Sequence, residues 1–216
     1  MKKFAVIGLG NFGANVAREL SELDCKVTAI DIDKGKVQLL QDKADLAIIA
    51  DVTERSFLEN LGVDNYDCFI VSTGKDSHAS ILIALHLKEL GAAQIIVKAN
   101  SEDHAKILYK VGATEAVIPE KQMAVKLSHS LARPNLIDQL PLTGEYYVAE
   151  IAPPDNFINK RLIDLQLRTK YHIQVIALKD SVTGEFEFAP GGEHTIKEKD
   201  ILVVLAKERD IVSFNE

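Results

Sequence analysis

The chain is poor in cysteine, in long apolar runs and in positive charge, and each shortage narrows what it can be. Its 216 residues include two cysteines, Cys25 and Cys68. Both sit in apolar runs and their spacing fits no metal motif, so the expectation is two reduced core thiols in a cytosolic protein. No stretch reaches the roughly 18 consecutive apolar residues that span a bilayer. Met1-Lys2-Lys3 resembles the charged start of a signal peptide, but the apolar run after it, Phe4–Ile7, is short and runs straight into a glycine turn. Direct membrane insertion is therefore not expected, and any work at a membrane goes through a partner. The formal net charge is −7, divided as 16 basic against 18 acidic residues up to Asn135 and 9 against 14 from Leu136 on. An acidic chain repels phosphate backbones, which sets nucleic acid aside as a main partner; any anion it binds must be held by local geometry.

Catalytic signatures are also scarce. The six histidines, His78, His86, His104, His129, His172 and His194, are scattered, and none forms an i, i+4 metal-ligand pair. There is no nucleophile elbow and no P-loop. A dehydrogenase would need a general acid or base beside its nicotinamide, and no residue stands out for that role.

What remains is an ordinary globular composition, 47% hydrophobic and 26% charged, at a length that suits two domains. The runs Phe4–Ile7, Lys26–Ile30, Leu46–Ala50, Cys68–Ser72, Ile95–Lys98 and Ala116–Ile118 are rich in Val, Ile and Ala and apolar on both faces, as central parallel strands require. Helical segments such as Asn11–Leu23 and Ser77–Leu90 lie between them. Six strands alternating with helices predict a doubly wound, Rossmann-type α/β sheet. A helix Pro119–Ala132 follows, with proline at its start. Arg133-Pro134-Asn135 breaks it, which gives a first domain over 1–133, a linker over 134–144 and a small α+β domain over 145–216. That second domain is expected to contain strands at Tyr146–Ile151, Ile173–Leu178 and Ile201–Leu205, one short helix near Lys160–Leu167, a hairpin turn at Asp180–Glu185 and a last helix at Asp210–Phe214. The segment Ile81–Leu87 is apolar around most of its circumference, so one side can face the sheet and the other a second subunit, or the helix is simply deep in its own domain.

Gly8-Leu9-Gly10-Asn11-Phe12-Gly13 is a G-x-G-x-x-G between the first strand and the first helix, and Asp31 lies about 20 residues further on, at the end of the second strand. Gly8 makes the tight turn, Gly10 lets backbone approach a pyrophosphate, and Gly13 lets helix and strand pack closely. The helix start offers free N–H groups and a partial positive charge. Asp31 can accept hydrogen bonds from ribose hydroxyls and would repel a 2′-phosphate. Asp51, Val52 and Thr53 after the third strand, and Thr73, Gly74 and Asp76 after the fourth, point toward the same crevice. Asp51, Thr53 and Asp76 also suit helix capping.

Taken in order, these pieces resemble the RCK (regulator of K+ conductance) proteins of the KtrA/TrkA type, bacterial potassium-uptake regulatory subunits. The resemblance runs through Phe4–Gly13, Ala29–Asp33, Ala50–Thr53, Ile96–Ala99, Leu108–Glu120 and, in the second domain, Ile163–Tyr171 and Pro190. It implies a regulator and not an enzyme, built as dimers assembling into an octameric ring on the cytosolic face of a membrane-embedded potassium-transporter subunit. It implies ATP/ADP or NAD/NADH at the first domain, with Asp31 on the ribose, Ile32 and Asp33 beside it, and Lys98 near the phosphates. It further implies a divalent cation linked to Glu120, and cyclic di-AMP between paired second domains at Ile163, Arg168, Ile173 and Pro190. KtrA proteins often carry arginine where this chain has Asn11. Asparagine supplies no charge for a terminal phosphate, which counts against ATP-versus-ADP discrimination by that route and shifts the balance toward NAD. The competing reading is a small NAD-dependent oxidoreductase built on the first domain.

Overall fold

The structure, a computed structural model, describes residues 1–74, 76–132 and 135–214, and the chain forms two compact units, Met1–Lys121 and Gln122–Glu216. The first holds β1 (Lys3–Ile7), α1 (Asn11–Glu22), β2 (Lys26–Asp31), α2 (Lys34–Gln38), β3 (Leu46–Ile49), α3 (Arg55–Leu61), β4 (Cys68–Val71), α4 (Ser77–Glu89), β5 (Ile95–Lys98), α5 (Glu102–Val111) and β6 (Glu115–Val117). The six strands are parallel and ordered β3-β2-β1-β4-β5-β6. That order reverses at β1, and the crevice over the reversal is where such sheets take ligands.

Apolar side chains leave both faces of these strands. Val6, Val27 and Ala29 pack with Ala17, Val37 and Leu40 of the α1–α2 side; Ile7, Phe69, Val71 and Ile95 pack with Leu58, Ile83, Leu87 and Leu108 of α3, α4 and α5. Full burial of a side chain such as Phe69 or Leu87 contributes about 1.5–3 kcal/mol, so the helices are held by their apolar stripes. Local caps set the helix starts. Asp76 accepts from Ala79 N at 2.9 Å to begin α4, and Ser101 accepts from His104 N at 3.1 Å to begin α5.

The helix α6 (Pro119–Ala132) has the bounds the sequence predicts, and the division between units falls within it, after Lys121. Arg133 and Pro134, where the break is expected, lie outside the described residues. The segment expected as linker, 134–144, contains a strand instead: β7 (Leu136–Pro141) pairs antiparallel with β8 (Tyr146–Ile151). β9 (Gln174–Asp180), β10 (Phe186–Phe188) and β11 (Asp200–Lys207) complete a sheet ordered β10-β9-β11-β8-β7. The single helix expected near Lys160–Leu167 is two one-turn pieces, α7 (Leu162–Leu165) and α8 (Leu167–Lys170), parted by Gln166 in a left-handed conformation (φ 49°) that an α-helix cannot continue through. The last helix, α9 (Glu208–Phe214), closes this domain's core, where Phe157, Tyr171 and Phe214 meet edge to face.

Candidate functional site

A crevice of about 470 Å³ opens at the carboxyl ends of β1, β2, β3 and β4. Gly8, Gly10, Asp31, Ile32, Asp51, Val52, Thr53, Thr73 and Gly74 all line it, so most of the residues picked from sequence for a nucleotide come together. Asp76 lines it too, while also capping α4.

The glycine loop is held by close packing. Gly8 has φ +89°, and a Cβ there would stand 2.2 Å from the Ser72 carbonyl oxygen; a Cβ on Gly13 would stand 2.0 Å from the Gly8 carbonyl oxygen. These two glycines let β1, β4 and α1 approach. Gly10 differs: a Cβ there meets nothing within 4 Å. It is the N-cap of α1 and offers no side-chain cap, so the first N–H groups of the helix keep their capacity for an anion. The space over Gly10 is open.

Asp31 is buried, and its carboxylate already has work. Oδ2 accepts from Leu9 N at 2.6 Å, Oδ1 accepts from Asp33 N at 2.8 Å, and Lys36 Nζ lies 3.4 Å from Oδ2. It ties the glycine loop to the end of β2; Oδ2 already meets two donors, and Oδ1 retains a lone pair that could accept from a ribose hydroxyl. Asp51 accepts from the Thr53 hydroxyl at 2.6 Å and the Thr53 N–H at 3.0 Å. Those two bonds, the hydroxyl first, hold its carboxyl below the usual range, so it stays an anionic acceptor at the crevice rim.

Other expected residues lie outside the lining. Asn11 is exposed at the start of α1, Phe12 packs against the α1–α2 side of the core, and Gly13 is buried beneath the loop. Asp33 caps α2 by accepting from Gly35 N at 2.8 Å. Lys98 also stands apart from the crevice. Its ammonium is paired with Glu120 and lies 6.0 Å from the Phe12 ring centroid. That hydrogen bond from Lys98 holds the Glu120 carboxyl below its ordinary value. Among the described residues no group of three or more His, Cys, Asp or Glu side chains is placed to hold a metal ion. One chain therefore does not by itself fit a divalent cation at Glu120.

Among the titratable lining residues, sequence reasoning misses Lys36 and His78. Lys36 follows Asp31 by five residues on a one-turn helix, a spacing that could have flagged a cation beside the carboxylate. His78 sits in the first turn of α4, where position after β4 was the available signal.

In the second domain Ile163, Arg168, Ile173 and Pro190 line one cavity of about 350 Å³. Asp164, the alternative ion-pair partner of Arg168, is held by Arg161 at 2.8 and 2.9 Å.

A parallel sheet ordered 3-2-1-4-5-6, with a glycine loop, an uncapped helix start and an acidic strand end at its crevice, defines a Rossmann-type domain. Here it is followed by a small antiparallel domain. Residues 4–119 match the TrkA-N domain and residues 146–216 the TrkA-C domain. The chain is 40% identical over 215 residues to the Ktr system potassium uptake protein C of Bacillus subtilis, covering 100% of this chain and 96% of that protein. It is 38% identical to the Ktr system potassium uptake protein A of the same organism, over 99% of this chain and 95% of that protein. Among solved structures, GsuK bound to ADP aligns with 25% identity and a TM-score of 0.52 over 60% of this chain and 34% of that one. The chain belongs to the TrkA-N/TrkA-C family of Ktr-type potassium uptake proteins. Among the described residues no helix is long and apolar enough to cross a membrane.

Proposed function

We propose that this chain is a cytosolic regulatory subunit of a potassium-uptake system, peripheral to the membrane through a membrane-embedded transporter subunit, and controlled by an adenine nucleotide in the first-domain crevice. The observation that carries the nucleotide reading is the open space over Gly10 at an uncapped helix start, with the Asp31 carboxylate tied to the same loop. Full-length similarity to two Ktr system potassium uptake proteins supports the regulatory role over the oxidoreductase alternative. The GsuK structure bound to ADP makes ADP or ATP a natural first ligand to try, with NAD or NADH as the other class. Lys98 reaches phosphate in this reading by leaving Glu120. A cation at Glu120 requires a ligand set completed by a second subunit.

Self-association into dimers and a ring belongs to the same proposal. Two features support it. Met123, Leu127 and Leu131 form an exposed i, i+4, i+8 stripe on α6, and His86 Nδ1 on α4 is buried with no partner in its own chain. Most of the apolar surface of α4 is used internally, with Ile83, Ala84 and Leu87 in the core and Leu85 36% exposed.

Cyclic di-AMP is proposed for the second-domain cavity. Arg168 would meet a phosphate with a bidentate fork, and Ile163 and Pro190 would flank a base, with the buried Ile173 beneath them. The ligand's two-fold symmetry suits an isologous pair of domains. A thermal-shift titration with ATP, ADP, NAD, NADH and cyclic di-AMP tests the whole. An upward shift with at least one adenine nucleotide is expected, and no shift with any of the first four would overturn the proposal.

A further inference from the structure

A polar network with a buried centre joins the wall of the crevice to the neighbouring strand end. His104 and Ser80 are 6% and 1% exposed. Nδ1 of His104 accepts from the Asn100 N–H at 3.2 Å, and Nε2 lies 3.1 Å from Ser80 Oγ. Ser80 Oγ in turn donates to the Ser77 carbonyl at 2.9 Å, and Asn100 Nδ2 donates to Ser77 Oγ at 3.3 Å. Because Nδ1 is an acceptor, the ring proton must sit on Nε2 and be donated to Ser80. Every donor then meets an acceptor in one direction, from Asn100 through the imidazole to the first turn of α4.

The two ends of that chain matter. Ser77 stands between Asp76 and His78, both of which line the crevice, and Ala79 next to them is also in its wall. Asn100 lies just past β5, two residues from Lys98. Resting on the nucleotide reading of the crevice, we propose that His104 is a positioning residue: its neutral, Nε2-protonated ring fixes the first turn of α4 as a wall of the crevice, and protonating it releases that wall and weakens ligand binding.

A second ring proton would put Nδ1–H against the Asn100 N–H, two donors face to face, and the Asn100 peptide would have to turn away. Burial favours the neutral ring, holding His104 below the ordinary histidine value near 6.5. The network is therefore complete above that value and fails as pH falls through the lowered one. Among the described residues, burial is the cause of that shift and no charge contributes to it. On α5, Glu102 pairs with Lys121 and Asp103 with Lys106; after β5, Lys98 pairs with Glu120; on α4, Asp76 caps Ala79. His78 also lines the crevice and is the same in both chains compared below.

The test is calorimetric titration of the full chain with ADP at pH 7.5 and pH 5.5, for wild type and for His104→Asn. The asparagine keeps an acceptor for Asn100 but does not titrate. Wild-type affinity should fall more than that of the variant, by an excess that stays below about tenfold because a ring held under the ordinary value is only partly protonated at pH 5.5; comparing the two chains cancels the ligand's own titration. An equal fall in both overturns the inference. Nitrogen NMR of the imidazole gives a readout that does not depend on the variant's folding: at pH 7.5 the neutral Nε2–H tautomer is expected, and the Nδ1–H tautomer or the imidazolium overturns the inference. Wild type that binds no ADP at pH 7.5 overturns the nucleotide reading, and this inference with it.

Discussion

Replacing Gly10 with valine should abolish nucleotide binding and leave the fold standing, a separation the other two loop glycines cannot give. Gly10 has φ −69° and ψ −173°, which any residue adopts, and its Cβ would meet nothing within 4 Å. Removing a glycine's freedom from the unfolded chain stabilises by about 0.4–1 kcal/mol, and a poor N-cap residue costs up to about 1 kcal/mol. The two nearly cancel, so the melting midpoint should stay within about 4 °C of wild type for a chain of this length. Gly13→Ala is the contrast, with its Cβ 2.0 Å from the Gly8 carbonyl oxygen. Overpacking of that kind costs about 1–3 kcal/mol, or a drop of roughly 3–10 °C. In the crevice the order reverses. The valine fills the space left for pyrophosphate, and ADP affinity should fall at least about 100-fold, about 2.7 kcal/mol. Scanning calorimetry reads the first effect and isothermal titration the second. If Gly10→Val binds ADP like wild type, or melts below Gly13→Ala, the assignment of the phosphate site is wrong.

Asp31→Ala should weaken adenine-nucleotide binding by about 1–3 kcal/mol, the cost of losing a charged acceptor, and should also lower the melting midpoint because Leu9 N–H loses its partner; unchanged calorimetric affinity in the folded variant would refute this. Arg168→Ala should remove cyclic di-AMP binding in the full chain while ADP binding persists. Wild type that takes up no cyclic di-AMP at high micromolar ligand, or a variant that binds it equally well, would end that role. Light scattering of the nucleotide-free protein at micromolar concentration should give at least a dimer mass, and a single-chain mass would contradict the self-association proposal.

The sheet of the first domain is legible because its strands are apolar on both faces and short. β5 matches its expected bounds, and β1 to β4 and β6 shift by about a residue at their ends. The glycine loop and Asp31 are legible because their roles are local. β7 is not: Leu-Ile-Asp-Gln-Leu-Pro is an edge strand ending in proline, and only its pairing with β8 makes it a strand. Lys98 and Glu120 are 22 residues apart, and no periodic signal announces their ion pair. The same holds for the bond from Leu9 N to Asp31, which turns a presumed ligand contact into a structural clamp as well. His104 reads in sequence as one scattered histidine; its link to Ser80 exists only once α4 and α5 are packed.

The most direct measurement of the central claim is potassium or rubidium uptake into vesicles carrying a Ktr-type membrane transporter subunit, with and without this chain and with and without ADP, ATP or NAD. Uptake should respond to nucleotide only when the chain is present, and the response should vanish with Gly10→Val. Uptake that ignores the chain, or that responds equally with the valine variant, would contradict the account.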